Sequence, residues 1–465
     1  EEVERYERPM KNRLAFRFGV ITVTGGIQAV IRVRISLPDG RTSQGVAAEA
    51  LAAKWFEKSP EFTDEQNLDQ LRQSLDLAIE HYKAYGAARP FELFSGTYRE
   101  QQKKGAALKL NPLVASYGPA LLDRAILDAL GKVTGNSFAQ MITQNLPGIA
   151  ATDLTPDIEQ VPLQRFLASL KPQPSIELRH TVGLVDPLTA GDRTPMERIN
   201  DGLPETLEEV VSYYRGRYYK LKVGGDIKAD LERLTTIAFV LDHRLPEYRT
   251  TLDGNEQYDD VEGIVELWRK VAETPALKRL AESTLFIEQP IKRQMALSRS
   301  VEPLARLRPV IIDESDGELS SFPTALKLGY SGVSSKNCKG FYKSILNASR
   351  VAKLGSGYFM SAEDLTTLPG VSVQQDLALV SLLGMTHVER NAHHFVDGMS
   401  FASEAEQKAF VRAHRDLYER KDGHPARLKA PGGRIALGSL NVPGFAVGAE
   451  MDLRAMMPRT TGVTI

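Results

Sequence analysis

The chain has 465 residues, 42% of them hydrophobic, and its 58 Lys and Arg against 59 Asp and Glu leave a net charge of −1. Near-neutrality excludes a general nucleic-acid coat or an acidic tail. The single cysteine, Cys338, excludes an intrachain disulfide and any multi-cysteine metal site. No run reaches the roughly 18 consecutive apolar residues of a membrane span. Residues 1–10 are charged and lack the apolar core of a signal peptide, so a cytoplasmic protein without membrane contact is expected. At roughly 150 residues per domain the length suits three units, or two if one is an α/β barrel of about 250.

Residues 14–50 read as strands. Over 28–37 the pattern alternates, with Ala29, Ile31, Val33, Ile35 and Leu37 on one face and Arg32 and Arg34 on the other. That two-residue period predicts a half-buried antiparallel strand, and Pro38-Asp39-Gly40 turns the chain after it. Helices are predicted over 64–85 and about 117–130, the second with Leu122, Ala125, Ile126 and Ala129 on one side and Gly131 beyond. Strands followed by helices predict an α+β domain over 1–175, with 144–175, rich in Pro, Thr, Ser and Gln, as a connection.

From 176 the rhythm changes to short β-rich runs separated by helical stretches. Candidate strands lie at 177–181, 218–221, 248–252, 284–287, 309–312, 332–334, 357–360 and 386–388. Between them, Ile227, Leu231, Leu234, Ala238 and Leu241 keep a helical period, as do Val261, Ile264, Trp268 and Val271. Eight β-then-α units predict a closed parallel barrel over 176–430, with a doubly wound open sheet as the alternative. Residues 431–465 are rich in Gly and Pro and are expected to pack back on the first domain.

The chemistry lies at strand ends. Asp253, Glu288 and Asp313 follow the third, fourth and fifth strands at intervals of 35 and 25 residues, about one β/α unit each. In a barrel these ends open on one face. Three carboxylates meeting there repel one another and raise each other's pKa unless a cation joins them. Oxygen-only ligation favours Mg²⁺, with Mn²⁺ as the substitute. Lys220 and Lys222, two apart, share one side of their strand. The opposing pulls of burial, a close cation and nearby acids predict Lys222 as a base. Lys336 approaches from the far side of the mouth. Asn255 either bonds a ligand or holds its loop. Glu314 is expected to sit behind Lys336 as its hydrogen-bonding partner, and Gln289-Pro290 to fix the chain after Glu288. His387 stands near a strand end and is a candidate pocket residue. Each acid alone also fits a simple helix cap, and the Lys-x-Lys pair a solvated strand face.

In order and spacing, Lys220-Leu221-Lys222, Asp253-Gly254-Asn255, Phe286-Ile287-Glu288-Gln289-Pro290, Ile312-Asp313-Glu314-Ser315 and Ser335-Lys336 resemble the enolase superfamily, in its muconate-lactonizing and mandelate-racemase-like members. Residues 122–131 resemble its capping domain. The resemblance implies an α/β protein: a modified (β/α) TIM barrel with an N-terminal α+β capping domain completed by the C-terminal tail, often a dimer or octamer. It implies Asp253, Glu288 and Asp313 as magnesium ligands, Lys222 as general base, Lys220 as its support and Lys336 as the opposed lysine of the lactonizing group. The shared chemistry is removal of a proton α to the carboxylate of a small-molecule substrate, with stabilisation of the enediolate. The expected outcome is isomerisation by a cycloisomerase, racemase or epimerase. Acid-sugar dehydration, with His387 or Glu363 as the acid, and a non-catalytic metal-binding scaffold are the alternatives. No His follows the seventh strand at 358–363, which departs from the mandelate-racemase-like pattern. The long interval from Asp253 to Glu288 predicts an enlarged helix or loop at 271–283, and the capping domain looks expanded around 85–115 and 144–175. Residues Glu49, Ala50, Leu51 and Trp55 are the candidate capping-loop contact.

Overall fold

The computed structural model describes residues 2–19 and 21–459. Three antiparallel strands, β1 (Glu2–Phe18), β2 (Ile21–Ser36) and β3 (Thr42–Ala50), form the first layer. As the alternation predicts, Ala29, Ile31 and Val33 are buried, against the helices Asp64–Tyr85 and Pro112–Thr134. Ile35 and Leu37, further along, are only half-buried. Val30 on the other face is buried as well, in a separate cluster with Val373 and Leu377. The strand is therefore covered on both faces, because the back of the sheet docks on the helix Val371–Leu382. There Ser372 Oγ donates to the Ala48 carbonyl at 2.9 Å and Gln375 Nε2 to that of Val46 at 2.9 Å.

The first cap helix starts at Asp64 as expected, whereas the second starts at Pro112, before the expected 117, and runs past Gly131 to Thr134. Thr63 and Gln66 exchange side-chain and backbone bonds in a capping box, and Asn111 accepts from the amides of Leu113 and Val114. The two helices cross at Gly118, where a Cβ would lie 2.1 Å from the Ser74 carbonyl oxygen. Only glycine permits that approach. The helix Pro90–Ala107 occupies the expanded stretch, and β1 begins at Glu2, well before the expected start at 14. Residues 2–13 carry too many charges to show a period; pairing with β2, from Glu2 opposite Arg34 to Lys11 opposite Gly25, makes them a strand. The stretch 144–175 is not a bare connection, since it holds the helix Leu163–Ser169 with Leu167 fully buried.

Eight parallel strands follow: β4 (Ser175–Val182), β5 (Tyr218–Lys222), β6 (Arg249–Asp253), β7 (Thr284–Glu288), β8 (Val310–Ile312), β9 (Gly332–Ser335), β10 (Phe359–Ala362) and β11 (His387–Arg390). β11 pairs back on β4, from His387 opposite Glu177 to Arg390 opposite His180, so the barrel is closed and the open-sheet alternative falls. The long interval before β7 is filled by the helix Val261–Glu273, a turn at Pro275–Leu277 and the helix Lys278–Ser283.

The chain then forms a hairpin, β12 (Tyr418–Glu419) and β13 (Arg427–Leu428). β14 (Arg434–Ala436) adds antiparallel to the start of β4, and β15 (Met457–Pro458) joins the first sheet beside β1. The buried Asp128 carboxylate binds this tail to the cap, accepting from the amides of Phe445 at 2.8 Å and Val46 at 2.9 Å. Phe445 stacks on Phe138 with centroids 4.0 Å apart. The tail thus completes the capping layer as expected; residues 460–465 of that expected segment lie outside the described residues.

Candidate active site

Register brings the strand-end residues together. Lys222 lies opposite Asp253, and Asp253 opposite Glu288. Glu288 lies opposite Ile311, and Asp313 follows two residues later, just past the end of β8 and on the same side as Ile311. All of these side chains are buried.

Lys220 is the centre of the group. Its Nζ lies 2.9 Å from Asp253 Oδ2, 2.7 Å from Glu288 Oε2, 2.7 Å from Glu363 Oε2 and 3.1 Å from Glu389 Oε2. Burial disfavours an ammonium. Here the four carboxylates outweigh it and raise the Lys220 pKa well above the ordinary lysine value, so Lys220 stays charged. Lys222 Nζ donates to Asp253 Oδ2 at 2.5 Å. Lys336 Nζ donates to Asp313 Oδ2 at 2.6 Å and lies 4.3 Å from the Trp55 ring centroid, a cation–π contact. Burial opposes the Lys336 charge, but Asp313 more than restores it and its pKa is raised.

The three acids differ. Burial pushes the carboxyls of Asp253 and Asp313 up, yet Lys220 and Lys222 hold Asp253 below its ordinary value, and Lys336 and Lys339 do the same for Asp313. Glu288 goes the other way: burial, then Asp253 and Glu363, push it well above the ordinary carboxylate range against Lys220. Its Oε2 touches Lys220 off the direction of a hydrogen bond, and its Oε1 has no partner. A buried carboxylate oxygen without a hydrogen-bond partner, as Glu288 Oε1 is, is what a hard cation would satisfy, so the oxygen-only donor set suits Mg²⁺. As the side chains stand, however, no group of three or more His, Cys, Asp or Glu among the described residues could hold a metal ion. The lysines occupy the carboxylates instead.

The loops that carry these acids are held stiffly. Asn255, Glu256 and Gln289 all have positive φ, at 41°, 68° and 32°. For residues other than glycine this costs roughly 1–3 kcal/mol each and persists only where neighbours impose it. Gln289 shows how: its Oε1 accepts from the amides of Asp313 at 2.8 Å and Ser315 at 3.1 Å, and its Nε2 donates to Ser315 Oγ at 2.8 Å.

The lysines bonded to Asp253 and Asp313 open onto a cavity of about 360 Å³. Lys222, Lys336, Asn255 and Glu389 form its charged and polar floor, while Phe16, Phe18, Ile21, Leu51 and Trp55 bring an apolar wall from the cap. Lys222 and Lys336 therefore open onto one space. Of the capping-loop candidates, Ala50, Leu51 and Trp55 reach it, whereas Glu49 is buried against Arg124 at 3.0 Å.

Two expectations need correction. Glu314 does not back Lys336: it lies 3.4 Å from Lys58 Nζ and accepts from Asn255 Nδ2 at 3.3 Å, so Asn255 holds its loop while lining the cavity. The turn after β8 sends adjacent side chains to opposite sides, and Asp313 alone meets Lys336. His387 is the first residue of β11, bonded to Arg179 at 2.6 Å and stacked on Tyr218, at the far end of the strand from the cavity. Glu389, Lys339 and Arg179 were missed. Glu389 is the penultimate residue of β11 and lies near the strand end, as the other acids do. Lys339 Nζ donates to Ser334 Oγ at 2.6 Å and lies 3.3 Å from Asp313 Oδ1. Arg179 is paired with Glu363 across the barrel floor. The last two carry no signal in a single sequence, because a turn and a cross-barrel contact place them.

No protein-family model matches the chain, and no curated protein matches it. Solved structures do. A muconate lactonizing enzyme from Pseudomonas fluorescens is 15% identical, with 98% of this chain and 97% of that one covered and a TM-score of 0.59. A dipeptide epimerase from Enterococcus faecalis V583 is 14% identical over 96% and 98%, with a TM-score of 0.59. A member of the enolase superfamily from Listeria innocua Clip11262 is 14% identical over 98% and 96%, at 0.60. The chain has the enolase-superfamily fold. Its buried cluster of lysines and carboxylates lies in that fold at the C-terminal ends of the barrel strands, where the (β/α) barrel places active sites.

Proposed function

We propose that this protein is an enzyme of the enolase superfamily that removes a proton α to the carboxylate of a small-molecule substrate and completes an isomerisation. The observation that carries this reading is that Lys222 and Lys336 open onto one cavity while each is bonded to one of the buried acids, Lys222 to Asp253 and Lys336 to Asp313. Residues 1–175 serve as the cap, 176–430 as the barrel and 431–465 as the closing tail.

Asp253, Glu288 and Asp313 are the residues that would hold Mg²⁺. Bound there, the cation would stabilise the negative charge that develops on the substrate carboxylate. Lys222 takes the α-proton. Lys336, which Asp313 keeps protonated, returns a proton or stabilises charge from the other side of the α-carbon. Lys220 is too firmly charged to act as a base and supplies positive potential beneath the site. The apolar cap wall excludes water and suits a substrate with an uncharged, apolar group.

Cycloisomerase, racemase and epimerase reactions share this half-reaction. Acid-sugar dehydration is less well supported, because His387 sits at the far end of β11 bonded to Arg179, and Glu363 is held by Arg179 and Lys220. The test is solvent exchange: carboxylic acids are incubated with enzyme and Mg²⁺ in D₂O and the α-proton is followed by NMR. Exchange catalysed by wild type and lost in K222A supports the reading. Exchange that persists in both K222A and K336A overturns the assignment of the bases.

A further inference from the structure

We propose that Lys220 is a displaceable internal counter-ion whose ammonium competes with the divalent cation for Asp253 and Glu288. This rests on the reading that those two carboxylates, with Asp313, take the cation. The Lys220 Nζ touches four carboxylate oxygens, at 2.9 Å on Asp253, 2.7 Å on Glu288, 2.7 Å on Glu363 and 3.1 Å on Glu389. Two of these belong to the proposed cation set and two do not.

The second pair is anchored independently. Glu363 is held by Arg179 and Ser361. Glu389 accepts from Thr181 Oγ1 at 2.6 Å and from the Asp364 amide at 2.9 Å. Lys220 can thus give up Asp253 and Glu288 while keeping two charged partners, which avoids leaving a bare buried ammonium. Without Lys220, Asp253 would keep Lys222, and Glu288 would lose the one ammonium that touches it among the described residues. With Lys220 in place they are spaced around an ammonium, which accounts for the lack of a ready-made metal cluster among the described residues. Cation affinity is then a difference between two occupants of one acidic ring, and Lys220 is a positioning residue rather than a base.

Calorimetric titration of the full-length protein with Mg²⁺ alone tests this. Lys220→Met keeps roughly the shape of the alkyl stem and removes the competing ammonium, so Mg²⁺ should bind about tenfold tighter or more. Its thermal midpoint should also become more dependent on Mg²⁺ than that of wild type. Glu389→Gln removes one of the ammonium's alternative partners and should weaken Mg²⁺ binding by about tenfold in wild type but by less than about twofold in the Lys220→Met background. An equal effect in both backgrounds would mean simple loss of negative charge and would overturn the proposal. So would an unchanged Mg²⁺ affinity in Lys220→Met. If Lys220→Met does not fold, Glu363→Gln, which keeps Lys220, must still weaken binding, and unchanged affinity there overturns the proposal. No Mg²⁺ binding by wild type would instead refute the underlying cation assignment.

Discussion

Acidification should loosen the junction between cap and barrel through three buried histidines. His180 on β4 faces His393 and His394 in the short helix Ala392–Phe395. Its Nδ1 lies 3.1 Å from His393 Nε2, and its ring centroid is 5.2 Å and 5.0 Å from theirs. Burial lowers the His180 pKa to about 3 and holds His393 and His394 well below the ordinary value, with Arg390 acting on the former and Arg13 on the latter in the same direction. A histidine with a depressed folded pKa stabilises the protein above its unfolded pKa of 6.5, and that stability is lost as pH falls toward the folded value. At pH 5 the unfolded His180 carries its proton and the folded one does not, a loss of about 2 kcal/mol from 1.5 pH units at 1.36 kcal/mol each. Asp186, pushed up to about 6 by burial, changes in the opposite sense, so total stability is a poor readout. The informative comparison is wild type against His180→Phe, by urea unfolding at pH 7 and pH 5. Wild type should lose about 2 kcal/mol more than the variant over that interval. The same segment carries Phe395, whose ring packs at a tilt against Phe16 of the cap with centroids 4.5 Å apart, and Arg13 donates to the His394 carbonyl at 3.3 Å. Loosening should therefore appear first as faster hydrogen exchange in β1 and the Ala392–Phe395 helix. Equal stability losses in the two proteins would refute the reasoning.

Three further outcomes are expected. K222A should slow α-proton exchange by about 10²–10⁴-fold with the fold intact, as checked by NMR in D₂O and circular dichroism. D253N, E288Q and D313N should each weaken Mg²⁺ binding at least about tenfold in calorimetric titrations without unfolding the barrel, since each removes one charged oxygen donor; unchanged affinity in all three would make the cation assignment wrong. Gly118→Ala should cost about 1–3 kcal/mol in denaturant unfolding, because its Cβ would lie 2.1 Å from the Ser74 carbonyl oxygen and the cap helices must separate.

Much of the molecule is legible in single residues. The eight barrel strands lie within about two residues of their apolar runs, since a strand buried on both faces needs a short unbroken run whatever surrounds it. Asp253, Glu288, Lys222 and Lys336 stand out as charges where such runs stop. The strand Glu2–Phe18 and the helix Leu163–Ser169 were not legible, because cross-strand pairing with β2 and burial of Leu167 decide them. Lys339 and Arg179 are likewise ordinary charges until the chain brings Asp313 and Glu363 within reach.

Local sequence by itself determined the alternation of strand and helix, the first cap helix over 64–85, and the inventory of acids and amines at strand ends. Those depend on periodicity, capping and turn chemistry, which act over a few residues. Only the tertiary structure decided which acid meets which amine: that Lys220 serves four carboxylates at once, that Glu314 belongs to Lys58 and Asn255, and that His387 lies away from the cavity. Pairing of charges depends on distances of a few ångströms between residues as far apart in the chain as 169 positions for Lys220 and Glu389 and 256 for Lys58 and Glu314, and closure of the barrel and docking of the cap set them.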